Sequence, residues 1–213
     1  MYWLSNALDE PYLVLYMQTQ GLSSTQTGVI LSVMRVATVV GCFAIGYLAD
    51  KTQNPKLALF LSSAGGIAAV ILTGHTAYML VFLLACSFYG FFVSPGLDLV
   101  DKLVVDNVKN GVQLNSLFRL FGSIGYSLGA LIAGALVAKL QFSVMFTYCT
   151  LMTAGCMVLC FFMKDKKKAA PARQTKHVPL SKIFSNPFSY YLYGYQVLWG
   201  CIEGGALSYA ALY

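Results

Sequence analysis

The chain has 213 residues, of which 58% are hydrophobic and only 10% charged. Soluble domains carry about 25% charged residues, so one aqueous core is excluded and burial in a bilayer is the alternative. The net charge of +6 sits in a few clusters between apolar runs, a membrane topology signal rather than a nucleic-acid surface.

Seven apolar segments, close to the ~20 residues that a bilayer core demands of a helix, follow one another along the chain. They are continuous and do not alternate as the strands of a membrane barrel would. The expected fold class is therefore an all-α membrane protein. Six cysteines lie mostly inside these runs, none in a CxxC pair, and read as small buried hydrophobes. The first segment lacks the basic leader and the small-residue cleavage site of a secretory signal.

Segment one runs from about Tyr2 to Tyr16, interrupted by Asn6, Asp9, Glu10 and Pro11. Two adjacent carboxylates in a spanning segment are costly, which marks Asp9 and Glu10 as candidate titrating groups. Segment two, about Thr27 to Leu48, is apolar except for Arg35, which is expected to face the bundle interior. The loop Gly46-Tyr47-Leu48-Ala49-Asp50-Lys51-Thr52-Gln53-Asn54-Pro55-Lys56 leads to segment three, about Leu57 to Thr73, whose Ser62-Ser63-Ala64-Gly65-Gly66 run allows close helix approach. His75 is a lone loop histidine. Segment four, about Tyr78 to Leu99, ends in Pro95, Asp98 and Asp101, the two acids three residues apart and so on one face.

Segment five, about Leu117 to Ala138, carries Gly122, Gly125 and Gly129 as a smooth strip, with Arg119 and Tyr126 two turns apart on one face. A fork of donors beside an aromatic ring suits a hydroxyl-rich ligand. Equally, Arg119 can pair with Asp98 or Asp101. Segment six, about Phe142 to Met163, is almost wholly apolar and expected to face lipid. A basic linker and an aromatic-rich seventh segment containing Glu203 follow. The expected domains are a six-helix bundle over 1–163, a cytoplasmic basic linker over 164–187 and a seventh helix over 188–213 that opens a truncated second bundle. Lys51, Lys56, Lys102, Lys109 and the Lys164–Lys182 cluster lie on one side and only Lys139 on the other. The positive-inside rule then makes the N-terminus cytoplasmic. Setting Glu10 on Glu203 also sets Tyr16 on Tyr209, a faint internal repeat.

Gly46, Leu48, Ala49, Asp50 and Lys51 resemble the signature loop between the second and third helices of the major facilitator superfamily. Where that pattern continues with a glycine and basic residues, this chain has Gln53, Asn54 and Pro55. Arg119 with Phe121-Gly122-Ser123-Ile124-Gly125-Tyr126 is similar to the fifth helix of the oligosaccharide:proton symporter (lactose permease-like) branch, and Pro95 with Asp98 to its fourth helix. The resemblance implies the major facilitator fold of two six-helix halves, here the N-terminal bundle plus the first helix of the other. It implies proton-coupled symport of a sugar or similar polar metabolite by alternating access, across an inner membrane. Arg119, Asp98 and Tyr126 would hold the substrate. Asp9, Glu10 and Glu203 would couple protons. Gly46, Asp50 and Lys51 would form a conformational gating loop, with Asp50 paired to the missing half or left with Lys51, Lys56 and water. A nucleoside or drug transporter of the same superfamily, favoured by Asp9 and Glu10, and a non-transporting membrane fragment remain as alternatives. No nucleophile–base set or metal-ligand cluster is visible, so no enzyme and no cofactor is expected. The expected partners are a small polar substrate, protons and the lipid bilayer, with no nucleic acid, and the full-length form is expected to be a monomer.

Overall fold

A computed structural model describes residues 2–9, 12–74, 78–107, 111–139 and 142–162, together with Tyr190, Tyr191, Gly194, Tyr195 and Leu198. The chain divides into two compact units, Met1–Asp165 and Lys166–Tyr213. In the second unit the five described residues are helical and exposed. The first unit holds α1 (Tyr2–Asp9), α2 (Leu13–Thr19), α3 (Ser24–Thr52), α4 (Pro55–Gly74), α5 (Met79–Asn107), α6 (Gly111–Lys139) and α7 (Phe142–Phe162). Among the described residues there is no strand. Five helices among the described residues are long and apolar enough to cross a membrane: Ser24–Thr52, Pro55–Gly74, Met79–Val105, Ser116–Lys139 and Phe142–Cys160.

Segment one forms two short helices rather than one interrupted span. Pro11 lies between them in the sequence, and proline offers no N–H to the preceding turn while crowding its carbonyl. α2 is plugged in place by tyrosines. The Tyr16 ring sits 5.8 Å from Phe82, 5.3 Å from Phe142 and 4.9 Å from Phe146, centroid to centroid. Its hydroxyl donates to the Gly74 carbonyl at 3.2 Å, and that of Tyr12 to the Ala130 carbonyl at 3.0 Å. The aromatic body thus packs in an apolar cluster while each hydroxyl finds a carbonyl. This cluster draws on α2, α3, α4, α5, α6 and α7.

α5 packs along both α3 and α4, α4 also along α7, and α1 along α6 and α7. A second cluster, with Ile45, Ala49, Ala58, Leu59, Val93, Leu99, Leu103 and Cys156, joins α3, α4, α5 and α7. In lipid there is little hydrophobic drive between helices, so small residues and interhelical hydrogen bonds set the contacts. Gly122 meets the Trp3 ring of α1, whereas Gly125 has open space where a side chain would be, so the glycine strip is only partly used for packing. α7 does not simply face lipid: Met145, Phe146, Cys149, Thr153 and Cys156 are buried. Arg35, expected inside the bundle, lies on an exposed face of α3. Cys86, Cys149 and Cys156 are buried and Cys42 and Cys160 half-buried, all free thiols. His75 lies outside the described residues.

Between α3 and α4 the chain turns within two residues. α3 opens on a capping box, Ser23 Oγ accepting from Gln26 N at 3.3 Å and Gln26 Oε1 from Ser23 N at 2.9 Å. It closes on Gln53, which is left-handed at φ 52°. Asn54 Oδ1 then accepts from Leu57 N at 3.1 Å, with Pro55 as the first residue of α4, where its missing N–H costs nothing. Gln53 occupies the place where the family pattern carries glycine. A side chain in this region costs ~1–2 kcal/mol, and Gln53 offsets part of it by donating from Nε2 to the Asp50 carbonyl at 2.6 Å. Gln53→Val loses that bond and puts a branched Cβ in the left-handed region. It should lower the apparent unfolding temperature in detergent by about 2–4 °C, the shift expected of ~1 kcal/mol in a chain of this size, whereas Gln53→Gly should match the parent.

Candidate functional site

Asp50, Lys51, Asp101, Lys102 and Arg119 gather at one end of the bundle because helices outrun the apolar stretches. α5 continues past Leu99 to Asn107, and α6 begins at Gly111, before its apolar run. Asp98, Asp101, Lys102 and Arg119 are therefore helical, and their spacing is set by the helix rather than by a loop.

Arg119 of α6 reaches across to α5, its Nε lying 3.3 Å from Asp101 Oδ2. Of the two acids that the sequence offers to Arg119, Asp101 takes the direct ion pair. Asp98 instead lines a crevice between α3 and α5, of about 170 Å³, with Cys42, Gly46, Asp50, Pro95 and Lys102. Asp98 still lies within electrostatic reach of both Asp101 and Arg119. Two acids and one arginine thus form a single cluster on adjacent helices. Asp101 lies roughly 13 Å along the helix from the middle of the span Met79–Val105, at about 1.5 Å per residue. Tyr126, half-buried on α6, lies within a turn of the middle of the span Ser116–Lys139. Arg119 and Tyr126 together mark a strip that descends from the charged end of the bundle towards its middle.

The loop expected to act as a gate departs from expectation in its contacts. Asp50 Oδ1 accepts from Lys102 Nζ at 2.8 Å, rather than being left with Lys51, Lys56 and water. The extra helical turns of α5 bring Lys102 level with the end of α3. Lys51 lies 5.8 Å from the centroid of the Tyr47 ring, one turn back on the same helix, within cation–π range. Gly46 is half-buried beside the crevice, and a Cβ there would meet nothing within 4 Å. Asp9 is the last residue of α1; Glu10, Glu203, Lys109 and the Lys164–Lys182 cluster lie outside the described residues. Lys102 could have been found as the partner of Asp50 from its spacing, one residue from Asp101 and one turn from Asp98 on a helix allowed to continue past its apolar part.

A helical bundle with five membrane-length apolar helices among the described residues defines a multi-pass α-helical membrane protein. The model of the MFS_1 like family matches residues 4–213, and the chain belongs to that family. It is a transporter of the major facilitator type. No curated protein and no solved structure matches the chain.

Proposed function

We propose that this transporter carries a sugar or similar polar metabolite in symport with protons, as in the oligosaccharide:proton symporter branch. It would work by alternating access in an inner membrane, with its N-terminus cytoplasmic. The observation that carries this reading is the Asp98–Asp101–Arg119 cluster with Tyr126 two turns deeper on the arginine's helix. A planar guanidinium and carboxylates bond sugar hydroxyls from both the donor and the acceptor side, and a phenol ring supplies a flat apolar platform.

Charges in a spanning region must be paired or neutralised as the protein changes state. A carboxylate that takes up a proton loses its charge when its cationic partner withdraws. Asp9, Glu10 and Glu203 are the proposed proton-coupling carboxylates, and Asp98, Arg119 and Tyr126 the proposed substrate residues. Gly46, Asp50 and Lys51 are the proposed gate. The Asp50–Lys102 pair suits a contact that must break in each cycle, since its side chains are 72% and 44% exposed and such pairs contribute only ~0–1 kcal/mol.

The test is uptake by the full chain in proteoliposomes, with a panel of labelled sugars, nucleosides and cationic dyes, and with external pH recorded. Sugar addition should raise the external pH as protons enter with the substrate. Uptake of a sugar with no pH change would remove the proton coupling, and uptake of dyes but not sugars would replace the substrate class.

A further inference from the structure

Trp3 of α1 lies against α6 at Gly122. A Cβ built on Gly122 would stand 2.8 Å from Trp3 Cδ1, 2.9 Å from Nε1 and 3.2 Å from Cγ. The pyrrole edge of the indole therefore fills the place that a side chain would take. In the sequence Gly122 falls between Arg119 and Tyr126. At about 100° per residue these three positions share an arc of about 60° on α6. Along the axis they span about 10 Å, at about 1.5 Å per residue. The indole thus enters the Arg119–Tyr126 strip at its middle from the α1 side, while Asp101 meets Arg119 from the α5 side at 3.3 Å.

The short first helix is pinned where it holds this ring. Two residues on, Ser5 Oγ bonds the Thr153 hydroxyl at 2.5 Å and donates to the Cys149 carbonyl at 3.3 Å, both on α7. Three residues on, Asn6 Oδ1 accepts from the Tyr89 hydroxyl of α5 at 3.5 Å. Ser5 and Asn6 are buried, whereas Trp3 is half-buried. α1 is thus fixed to α5 and α7 on its buried side and presents the indole to α6 with part of the ring still open.

The chemistry of the strip selects a ligand. The face of an indole is wide and electron-rich, which suits the weakly positive C–H groups on one face of a saturated ring. A saturated ring with hydroxyls on its rim is a cyclic sugar. Its C–H face stacks, while its hydroxyls reach the guanidinium fork of Arg119 and the carboxylate of Asp98. An acyclic polyol carries the same hydroxyls but no rigid face to stack.

We propose that Trp3 contacts the substrate as a stacking platform that selects cyclic sugars over acyclic polyols, and that Gly122 positions it by leaving room for the ring. This assignment rests on the sugar-transport reading and adds to it the shape of the substrate.

Uptake by the full chain in proteoliposomes tests it, with labelled methyl glucoside, galactoside and mannoside against sorbitol and mannitol. The pyranosides should enter and the polyols should not. Trp3→Leu should raise KM for the best pyranoside about 3- to 10-fold, the range of one aromatic contact, with kcat within about twofold. A ring that only packed would change kcat or the amount of folded protein and leave KM alone. Trp3→Phe keeps a ring against Gly122 and serves if Trp3→Leu fails to fold; it should raise KM about 2- to 3-fold. The chain has two tryptophans, Trp3 and Trp199, so the emission of Trp199→Phe is that of Trp3, and the pyranoside should quench or shift it where sorbitol does not. Pyranoside uptake with KM unchanged in the folded Trp3 variants, or with silent Trp3 emission, overturns the platform and leaves the transport reading standing. Polyol uptake equal to that of the pyranosides overturns the selectivity. No pyranoside uptake by the parent removes the transport reading itself, and the platform with it.

Discussion

Gly41→Ala should abolish the folded helical unit formed by α1 to α7. A Cβ at Gly41 would overlap the backbone of Phe91 itself, reaching its Cα, carbonyl carbon and oxygen. A side chain could rotate away, but a backbone cannot without moving α5. Retreat is blocked one turn along, where a Cβ built on Gly90 lies 2.5 Å from the Met34 carbonyl oxygen and 2.8 Å from Thr38 Oγ1. α3 and α5 thus touch backbone to backbone over successive turns. The cause lies in Pro95, inside α5. Proline cannot donate to the carbonyl four residues back, which is that of Phe91, and the freed group is the one pressed against Gly41. On the neighbouring helix, Ser62 Oγ donates to the Phe92 carbonyl, so this stretch of α5 is clamped from both sides. Overpacking of well-filled sites costs ~1–3 kcal/mol when side chains can yield; with backbone on both sides the cost should exceed that. The expected readout is loss of the monodisperse peak on size-exclusion chromatography in detergent. Gly46→Ala on the same helix is the matched control. Its Cβ meets nothing within 4 Å, and alanine is the better helix former by ~1 kcal/mol, so the protein should fold as well as the parent. Any effect of Gly46→Ala would then show in transport alone, as a gating role demands.

Much of this fold was legible from hydropathy alone, and its misses share one cause. Apolar stretches predicted about Thr27 to Leu48, Tyr78 to Leu99 and Leu117 to Ala138, where the helices run Ser24–Thr52, Met79–Asn107 and Gly111–Lys139. Hydropathy marks the part of a helix that suits hydrocarbon, whereas helical hydrogen bonding runs on into the charged flanks. Asp50, Lys51 and Lys102 consequently read as loop residues, and the Asp50–Lys102 pair was out of view. The capping box at Ser23–Gln26 had a visible spacing, and so did the run Ser62 to Gly66. The interhelical hydrogen bonds of Ser5 with Cys149 and Thr153, and of Tyr89 with Asn6, were not legible at all: the residues come from three helices, and nothing in their local sequence distinguishes them from hydroxyls bonded within their own turn. The choice of Asp101 over Asp98 for Arg119 was equally hidden, since both acids share a face and only the relative height of α5 and α6 separates them.

Arg119→Ala should reduce substrate uptake by roughly 10- to 100-fold, the loss expected when a charged group worth ~1.5–3 kcal/mol of hydrogen bonding is removed from a ligand. The ion pair engages Asp101 through Nε, and the guanidinium fork carries five donors, so donors remain for a ligand while the pair holds the side chain in place. A purely structural role would also make this variant defective, because Asp98 and Asp101 would face each other with no cation between them. The exchange Arg119→Asp with Asp101→Arg separates the two. It restores opposite charges across α5 and α6, and the double variant should recover the chromatographic behaviour of the parent. The guanidinium, however, would then rise from α5 and no longer share a helix face with Tyr126, so uptake should stay at the level of Arg119→Ala. Lys139→Ala, at the far end of α6, should transport normally. Should the exchanged pair recover both folding and uptake, Arg119 serves only to hold α6 against α5, and the substrate site must be sought elsewhere in the bundle.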